Sequence, residues 1–466
     1  MAEEKKAAAS ADSSQLEQFG YKQELRRSLG LRDVVLYGVL FMVIIAPQSI
    51  WGLVQVQGLG MSTLVYIIGF IAIMFTALSY MRMSNKFPIA GSVYSYVQRG
   101  INPHVGFIAG WLILLDYCIA PALLYVMVGN WGSLLVPGSP AWLWILVFIV
   151  FNTFVTIRGI NLTKGLDLVI FIIEVVAVIA FVALGCKYIL GPSGSGFSMD
   201  PIWQPEKVNA SFIAAGISIA ALNFLGFDGI STLAEETENP ERNIGRGIMI
   251  ALAIIIVAFI AQTYIASLIQ PDYASWDEQH MDNAFFYGVQ IIGGDVFYRI
   301  MLVINIVAVG IANIMNAQLA ASRLLYGMGR DKVIPSVFGK VHPKYKTPYV
   351  GAIFIGIVAL ILTNILGMAD LSTLVNFGAL ASFIMLNFAV FWYFFVKHNQ
   401  RKTFGDWVKY LICPWCGILI LAYVFTGFQP LTYTVGITWF VIGLIVGAVK
   451  SHGYKEVPEA FKHMEF

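Results

Sequence analysis

Long apolar runs recur along almost the whole chain, and they constrain its fold more than any other feature. Twelve runs are about as long as a helix must be to cross a bilayer, roughly 20 residues each. We number them as spans 1 to 12, at residues 34–57, 62–82, 105–129, 141–157, 167–190, 210–235, 245–270, 297–327, 348–368, 371–397, 407–427 and 431–450. Because lipid offers no hydrogen bonds to exposed backbone groups, these runs predict an all-α integral membrane protein with twelve transmembrane helices.

The composition agrees with a chain whose main partner is the lipid bilayer. Hydrophobic residues make up 58% of the chain and charged residues 12%, whereas about a quarter of a soluble domain is charged. The longest loops, 271–296 and 328–347, are too short for a soluble domain, and residues 1–32 contain no apolar core of a cleavable signal peptide. The basic residues lie in short loops rather than on one stripe, so no nucleic acid partner is expected.

The distribution of lysine and arginine predicts the orientation of the chain in the membrane. If the N-terminus lies inside, most of the loop lysines and arginines fall on the cytoplasmic side, among them Arg158, Arg242 and Arg330. The opposite loops hold Lys187 and Lys207, and loop 271–296 is acidic. We therefore expect a multi-pass protein of the cytoplasmic (inner or plasma) membrane with both termini in the cytoplasm.

Two spans are interrupted near the middle of their length. Span 1, VVLYGVLFMVIIAPQSIWGLVQVQ, contains Pro47, which removes a backbone N–H and clashes with the preceding turn. Span 6 contains NFLGFDGISTLAEE (223–236), with glycines and acids where a membrane helix is normally apolar. A break inside lipid is tolerated only where protein or a water-filled cavity covers the freed backbone groups.

The two interruptions occupy equivalent positions if spans 1–5 and 6–10 form two inverted repeats. Interrupted helices in corresponding positions are the best sequence indication of a transporter's binding site, because half-helix ends present N–H and C=O groups to a ligand. The alternative is a pair of kinked helices that bind nothing, since Gly and Pro are common in membrane helices.

Three motifs resemble those of a known family. They are FPIAGSVYSYVQRGINPHVGFIAGW (87–111), NFLGFDGISTLAEETENPERNIGRGI (223–248) and SRLLYGMGRDKVIP (322–335). In the amino acid–polyamine–organocation (APC) permeases they resemble, in this order, the loop between helices 2 and 3, the sixth helix with its following loop, and the end of helix 8 with the loop after it. The resemblance covers about residues 25–450, and GINPHVGF and LVNFGALASF (374–383) are most similar to bacterial putrescine importers.

The resemblance implies a ten-helix transport core of two inverted repeats, with broken helices 1 and 6, followed by two further helices. The implied boundaries are 1–32 for a cytoplasmic, partly disordered N-terminal segment, 33–397 for the core (repeats at about 33–190 and 210–397), 398–450 for spans 11 and 12, and 451–466 for a cytoplasmic tail.

The family also implies secondary active transport of amines or amino acids by alternating access, with the substrate held between spans 1, 3, 6, 8 and 10. We expect a permease, not an enzyme, that imports a small amine such as putrescine or an amino acid, with no cofactor beyond a coupling proton. One alternative is a neutral or cationic amino acid permease or exchanger of the same family. A channel, or a membrane redox enzyme built on Cys413 and Cys416 of the CPWC motif, has less support. Monomer and homodimer both stay open.

The break in span 1 departs from the pattern of many family members, which have Gly-x-Gly there. The matching residues are Ile44, Ile45 and Ala46, followed by Pro47 and Gln48. Bulkier residues and a missing N–H make a poorer nest for a substrate carboxylate. This departure favours an amine over an α-amino acid.

The resemblance also places individual residues at the substrate site. Those at the break in span 6 are Asn223, Phe224, Leu225 and Gly226, of which Phe224 would close over the substrate as a gate. In span 8 the implied residues are Asn313, Asn316 and Ala317, the two asparagines lying three apart on one helical face. The alternative is that the aromatic ring packs in the core and the asparagines bond neighbouring helices.

Acidic residues inside the spans are candidates for proton coupling, because an acid at a helix centre is costly and usually functional. Glu174 in span 5 is the first candidate, either as proton carrier or as counter-charge for a cationic substrate, and Asp116 in span 3 is the second. Asp228, with Glu235 and Glu236, follows the break in span 6. Pairing of these acids with a basic residue such as Arg242 would form an inner gate, although helix capping and solvated charge explain the two glutamates as well.

Overall fold

A computed structural model describes residues 24–25, 27–159, 164–192, 194, 196–208, 217–218 and 220–456. Most of the predicted N-terminal segment, the last ten residues of the tail and the first part of span 6 lie outside the described residues. Within the described ranges the chain is almost wholly helical, and its one β-type pairing is an isolated bridge between Leu29 and Thr237. The prediction of an all-α membrane protein is confirmed at this level.

Eleven of the twelve predicted spans contain a regular helix among the described residues, and most of the described part of span 6 is 3₁₀-helical or turn. The helices are Leu31–Met42 and Pro47–Gln57 (span 1), Ser62–Lys86 (2), Pro103–Leu135 (3), Ala141–Arg158 (4), Lys164–Ile189 (5), Pro240–Ile269 (7), Glu278–Val307 and Ile314–Arg330 (8), Tyr349–Ile365 (9), Met368–Val390 (10), Cys413–Phe425 (11) and Pro430–Lys450 (12).

Not all of these helices are long enough to cross a bilayer alone. Among the described residues nine helices meet that requirement by length and composition, and a tenth crossing is possible if the bent pair of span 1 counts as one. Tyr349–Ile365 is apolar but shorter, with 17 residues. The number of twelve crossings therefore stays a prediction.

Span 1 is broken where the sequence predicts. Leu31–Met42 and Pro47–Gln57 meet at an angle of 52°. Val43, with a φ of 59°, ends the first helix, and Pro47 begins the second, where its missing N–H costs nothing.

Span 6 is irregular through its described half. From Ala221 onward it forms two 3₁₀ segments, Ala221–Phe224 and Asp228–Glu236, separated by a turn in which Gly226 has a φ of 112°. Such short 3₁₀ pieces mark strained positions, and a φ of this kind favours glycine. The interruption predicted for this span is thus present.

The prediction of a loop at 271–296 is wrong in part. A helix begins at Glu278 and continues through Val307, with a kink at Gly294, whose φ of 68° and ψ of −173° are not helical. A π-helical turn, Ala308–Asn313, then leads into Ile314–Arg330. Gly294 lies at the surface with no atom within 4 Å of the position of a Cβ, so the kink arises from the backbone and not from packing.

The helices differ in how much of their surface is covered by protein. Buried residues make up 78% of the apolar core of Pro103–Leu135 and 72% of that of Asn283–Arg330, but 28% in Ala141–Arg158 and 22% in Pro430–Lys450. Spans 3 and 8 therefore lie in the centre of the bundle, while spans 4 and 12 present large apolar side chains outward, as expected for a lipid-facing surface.

Candidate functional site

A cavity lies where spans 1, 3, 6, 8 and 10 meet. The described residues that line it are Phe41, Met42, Ala46, Ser49, Asp116, Tyr117, Ala120, Pro121, Leu123, Leu124, Met127, Leu222, Asn223, Leu225, Gly226, Val309, Asn313, Ala317 and Val375. These are the same five spans between which the resemblance places the substrate.

The structure brings about half of the predicted site residues to the wall of this cavity. They are Ala46, Asp116, Asn223, Leu225, Gly226, Asn313 and Ala317. The others lie behind the wall, and they are Ile44, Ile45, Pro47, Gln48, Glu174, Phe224, Asp228 and Asn316. Ser49 and Tyr117 are polar wall residues that the sequence analysis missed, although each follows a predicted residue closely in the chain.

The break in span 1 is held by polar side chains on the side away from the cavity. Glu174 Oε2 accepts a hydrogen bond of 3.0 Å from the Ile44 N–H, and Gln262 Nε2 donates one of 2.7 Å to the Ile44 carbonyl. Gln48 Nε2 donates to Gln262 Oε1 at 3.0 Å, and Asn305 Nδ2 donates to Gln48 Oε1 at 2.9 Å. Both backbone groups that the break frees at Ile44 are therefore satisfied within the protein, as burial requires.

The neighbouring backbone amides of this break also have partners inside the chain. Ala46 N–H donates to the Val43 carbonyl at 3.0 Å, and Gln48 N–H donates to the Ile45 carbonyl at 2.9 Å. Ser49 N–H donates to the Ala46 carbonyl at 3.2 Å. Pro47 has no N–H, and Ile44, Ala46, Gln48 and Ser49 therefore contribute no free backbone donor to an anion nest at this break.

The break in span 6 is closed in the same way. Gly226 N–H donates to Asp228 Oδ1 at 3.3 Å, and Leu225 N–H donates to the Leu222 carbonyl at 3.2 Å. The hydroxyl group of Tyr117 in span 3 donates to Asp228 Oδ2 at 2.5 Å. Asp228 thus joins span 3 to the break and is buried behind the wall, with both carboxylate oxygens bonded.

Several polar side chains on the wall donate hydrogen bonds to other groups of the protein. The Ser49 hydroxyl donates to the Ala46 carbonyl at 2.7 Å, and Asn223 Nδ2 donates to Tyr66 Oη at 2.6 Å. The Tyr117 hydroxyl is committed to Asp228. The oxygens of these groups can still accept hydrogen bonds, one N–H of the Asn223 amide is left to donate, and Asn313 adds an amide that can both donate and accept.

Asp116 supplies the carboxylate on the wall. Its side chain is 3% exposed, and its Oδ1 has no hydrogen-bond partner among the described residues. Gly378 of span 10 packs against this part of span 3, since a Cβ on it would lie 2.3 Å from the Leu112 carbonyl oxygen and 3.1 Å from the Asp116 nitrogen. Only a glycine allows span 10 to come so close, so Asp116 is carried on a firmly held backbone.

Phe224 does not cover the cavity in this structure. The ring is fully buried and packs against three aromatic rings, with centroids 5.2 Å away for Phe259, 6.2 Å for Phe70 and 6.3 Å for Tyr66. Burial of an aromatic ring against other rings explains this position. The gate predicted at Phe224 is therefore not formed here, and a role in gating requires another arrangement of the ring.

Asn316 also differs from the prediction that it shares a site face with Asn313. Asn316 is buried, and its backbone carbonyl accepts a hydrogen bond of 3.1 Å from the hydroxyl group of Tyr37. The π-helical turn ends at Asn313, directly before the helix that carries Asn316. Because three residues of an α-helix leave two side chains about 60° apart around the helix axis, the spacing of three does not by itself place both on the cavity.

The acids that follow the break pair with span 8, not with Arg242. Glu236 lies 2.6 Å from Arg323, and Glu235 lies 3.0 Å from Arg330. Pairing of these glutamates with basic residues is therefore present, but the example Arg242 is exposed and is not the partner of either. The two pairs join the ends of spans 6 and 8 on the side predicted to be cytoplasmic.

Neither a redox motif nor a metal site finds support in the described residues. Cys413 and Cys416 are free thiols in the first turn of the helix Cys413–Phe425, which is not the strand–helix context of a redox CxxC motif. No group of histidine, cysteine and acidic side chains within the described ranges has the arrangement of a metal site.

Known proteins resemble the chain along most of its length. The model of the amino acid permease family matches residues 35–449. The chain is 33% identical over 440 residues to the low-affinity putrescine importer PlaP of Escherichia coli (strain K12). The aligned region covers 94% of this chain and 96% of the relative. In Bacillus subtilis (strain 168) it is 28% identical over 447 residues to the methylthioribose transporter and 26% identical over 453 residues to the branched-chain amino acid permease BcaP, with 91% of this chain and 93% of each relative covered.

The matched region contains all twelve spans and both breaks, and each of these relatives is a transport protein by name. The prediction of a permease is thereby confirmed. The chain belongs to the amino acid permease family of the APC superfamily, and it is a multi-pass membrane transporter of small molecules and not an enzyme.

Proposed function

We propose that this permease imports a cationic amine such as putrescine across the cytoplasmic membrane. The observation that carries the proposal is the kind of polar group on the wall of the cavity between spans 1, 3, 6, 8 and 10. Its wall offers oxygen acceptors and the Asp116 carboxylate, and none of the described wall residues is Lys, Arg or His. An ammonium group is a donor without acceptors, so it is complementary to such a wall.

An amino acid would need donors for its carboxylate as well. The backbone amides at Ile44, Ala46 and Gly226 have partners inside the chain. Burying a carboxylate without hydrogen bonds costs several kcal/mol. The internal pairing of these three amides therefore favours a substrate without a carboxylate.

A neutral amino acid is the second candidate, and the apolar part of the wall favours it. Leu123, Leu124, Met127 and Val309 could enclose an aliphatic side chain. The branched-chain amino acid permease BcaP is among the relatives, as is the methylthioribose transporter. For these substrates the Asn313 amide would be the main donor in the described wall.

Proton coupling is assigned to Glu174. This carboxyl group is fully buried in span 5, it bonds the Ile44 N–H at the break of span 1, and its Oε1 has no partner in the described part of the chain. Protonation changes the strength of the bond that Glu174 can accept, and hence the stability of the break. Asp116 is the weaker candidate for this role, because it lies on the wall where the substrate would contact it.

Transport follows alternating access, with spans 1–5 and 6–10 as inverted repeats and both termini in the cytoplasm. The paired breaks in spans 1 and 6 and the distribution of lysine and arginine support this arrangement. Twelve crossings and a proton as the coupling ion belong to the same proposal. The oligomeric state is left open.

Uptake into proteoliposomes tests the function. Radiolabelled putrescine and radiolabelled leucine are offered in parallel, with an inside-alkaline pH gradient and with the gradient collapsed by a protonophore. Saturable putrescine uptake that falls when the gradient is removed supports the proposal. Gradient-driven uptake of leucine without putrescine uptake assigns the protein to the second candidate function.

A further inference from the structure

We propose that Asp116 is the anchor that binds the ammonium group of the substrate. The proposal rests on the proposed function, because it names the residue that recognises the same amine. It assigns Asp116 to substrate binding instead of proton coupling.

The acids near the cavity differ in what their carboxylate oxygens already bond. Both oxygens of Asp228 are occupied, by the Tyr117 hydroxyl and the Gly226 N–H. Glu174 lies behind the wall, where one oxygen bonds Ile44. Asp116 lies on the wall itself, and its Oδ1 has no partner among the described residues.

A carboxylate in this position needs a partner. Placing an aspartate at the centre of a membrane helix is energetically costly, and such residues usually pair with another group. Asp116 is 3% exposed, so bulk water offers little compensation. Since the described wall contains no cationic side chain, the partner that fits is a cation delivered by the ligand.

The rest of span 3 continues from Asp116 as an apolar stripe. Ala120, Leu124 and Met127 all line the cavity, and they follow Asp116 by four, eight and eleven residues. This spacing places them on one helical face, over about 16 Å of helix. A ligand with a charged head at Asp116 and an aliphatic chain along the stripe fits this pattern, with the chain directed toward the outside in the predicted orientation. The second ammonium of putrescine would then need acceptors from the facing wall, where Asn223 and Asn313 are the candidates.

The carboxylate is held in position by its helix. Gly378 brings span 10 into backbone contact with span 3 at Asp116, and the Tyr117–Asp228 bond ties the next residue to span 6. A group that is fixed before binding loses little conformational entropy when the ligand arrives. The site therefore recognises a primary aliphatic amine through one pre-positioned ion pair.

Binding measured at equal pH on both sides tests the assignment. Putrescine, n-butylamine and spermidine are titrated into purified protein in lipid nanodiscs by calorimetry. Asp116→Asn is expected to weaken amine binding by about 30-fold or more, as for truncation of one partner of a buried pair. Asp116→Glu keeps the charge and should recover part of the affinity. Asp200→Asn, which removes an exposed acid from the loop after span 5, is the matched control and should bind as the wild type does.

The outcomes separate the two proposals. If the wild type binds amines and Asp116→Asn binds them equally well, the anchor is wrong while the function stands. Loss of gradient-driven uptake with unchanged binding would make Asp116 a proton carrier and would also overturn the anchor. If the wild type binds none of the three amines, the function itself fails.

A second measurement uses the wild-type protein alone, in case Asp116→Asn does not fold. Dicyclohexylcarbodiimide, an apolar reagent for buried carboxyl groups, is added with and without saturating putrescine, and labelled peptides are identified by mass spectrometry. Slower labelling of Asp116 in the presence of putrescine supports the anchor. Equal labelling rates contradict it.

Discussion

The Glu174 carboxylate in span 5 accepts a hydrogen bond of 3.0 Å from the backbone N–H of Ile44 in span 1. The two residues are 130 positions apart in sequence, and the bond lies at the point where the helix of span 1 is interrupted. A titratable group is therefore in direct contact with the backbone that bends by 52° at the break. This contact is the physical basis for assigning proton coupling to Glu174.

Glu174→Gln should separate binding from coupling. The glutamine carbonyl can still accept the bond from Ile44, but the side chain no longer titrates. We expect putrescine binding to persist while accumulation driven by an inside-alkaline gradient is lost. Equilibrium binding and gradient-driven uptake are measured on the same protein preparation.

Glu174→Leu is the matched comparison, because it removes the acceptor as well as the charge. It leaves the Ile44 N–H buried and unbonded, which costs about 1–3 kcal/mol. We expect a lower melting temperature for this variant than for Glu174→Gln. Accumulation by Glu174→Gln at the wild-type level would show that the proton is carried elsewhere.

The ion pair between Arg323 and Glu236 should contribute strongly to the contact between the ends of spans 6 and 8. The two groups are 2.6 Å apart, and the side chains are 1% and 13% exposed. Arg323→Met leaves a largely buried carboxylate without its cation, which typically costs about 3–5 kcal/mol. The melting temperature in detergent should fall clearly.

A double-mutant cycle provides the control for this pair. Adding Glu236→Gln to Arg323→Met removes the unpaired charge, so part of the lost stability should return. Strictly additive effects of the two substitutions would contradict a specific interaction between the two side chains.

The turn in span 6 should require a glycine at position 226. Gly226 has a φ of 112°, and a Cβ there would lie 3.0 Å from the ring of Phe41. Gly226→Ala combines a backbone conformation that costs about 1–3 kcal/mol for other residues with contact against a buried ring. We expect uptake to be lost and binding to be weakened. Gly367→Ala, where a Cβ meets no atom within 4 Å, should transport normally. Normal uptake by Gly226→Ala would mean that the turn is not required for transport.

A pair of tryptophans should affect stability without affecting transport. Trp111 and Trp439 stack with centroids 4.6 Å apart, and each indole N–H donates to the backbone carbonyl of the other, at 2.9 and 2.7 Å. Trp111→Phe should cost about 1–2 kcal/mol through the lost hydrogen bond and reduced stacking. Thermal unfolding measures this loss against Trp142→Phe, which alters a lipid-facing residue that is 61% exposed. Loss of uptake at full stability would contradict a purely structural role.

The sequence predicts the breaks well because their causes are local. Pro47 and Gly226 act on the backbone at their own positions, so the interruptions of spans 1 and 6 can be located without any knowledge of packing. Hydropathy likewise places the helix boundaries within several residues for most spans. Gly294 also acts locally. The helix that begins at Glu278 is not predicted from the sequence, because its first turns lie in a polar segment without an apolar signal.

The sequence does not predict which side chains bond each other across the helix bundle. Gln262 and Asn305, which help to hold the break in span 1, lie more than 200 positions from the residues they bond. Glu236 pairs with Arg323 instead of Arg242, which is nearer in sequence but exposed. Asp116 was found because an acid in a membrane span is conspicuous, whereas Tyr117 gave no signal, since an aromatic residue in such a span is usually packing.

Competition between putrescine and ornithine tests the central claim most directly, because the two molecules share a carbon skeleton and ornithine adds only the carboxylate. Uptake of radiolabelled putrescine into proteoliposomes is measured with increasing unlabelled putrescine or ornithine. If the cavity selects amines because the amides of Ile44, Ala46 and Gly226 already have partners, putrescine should compete at far lower concentrations than ornithine. Equal or stronger competition by ornithine would show that the site holds a carboxylate after all, and it would contradict the account.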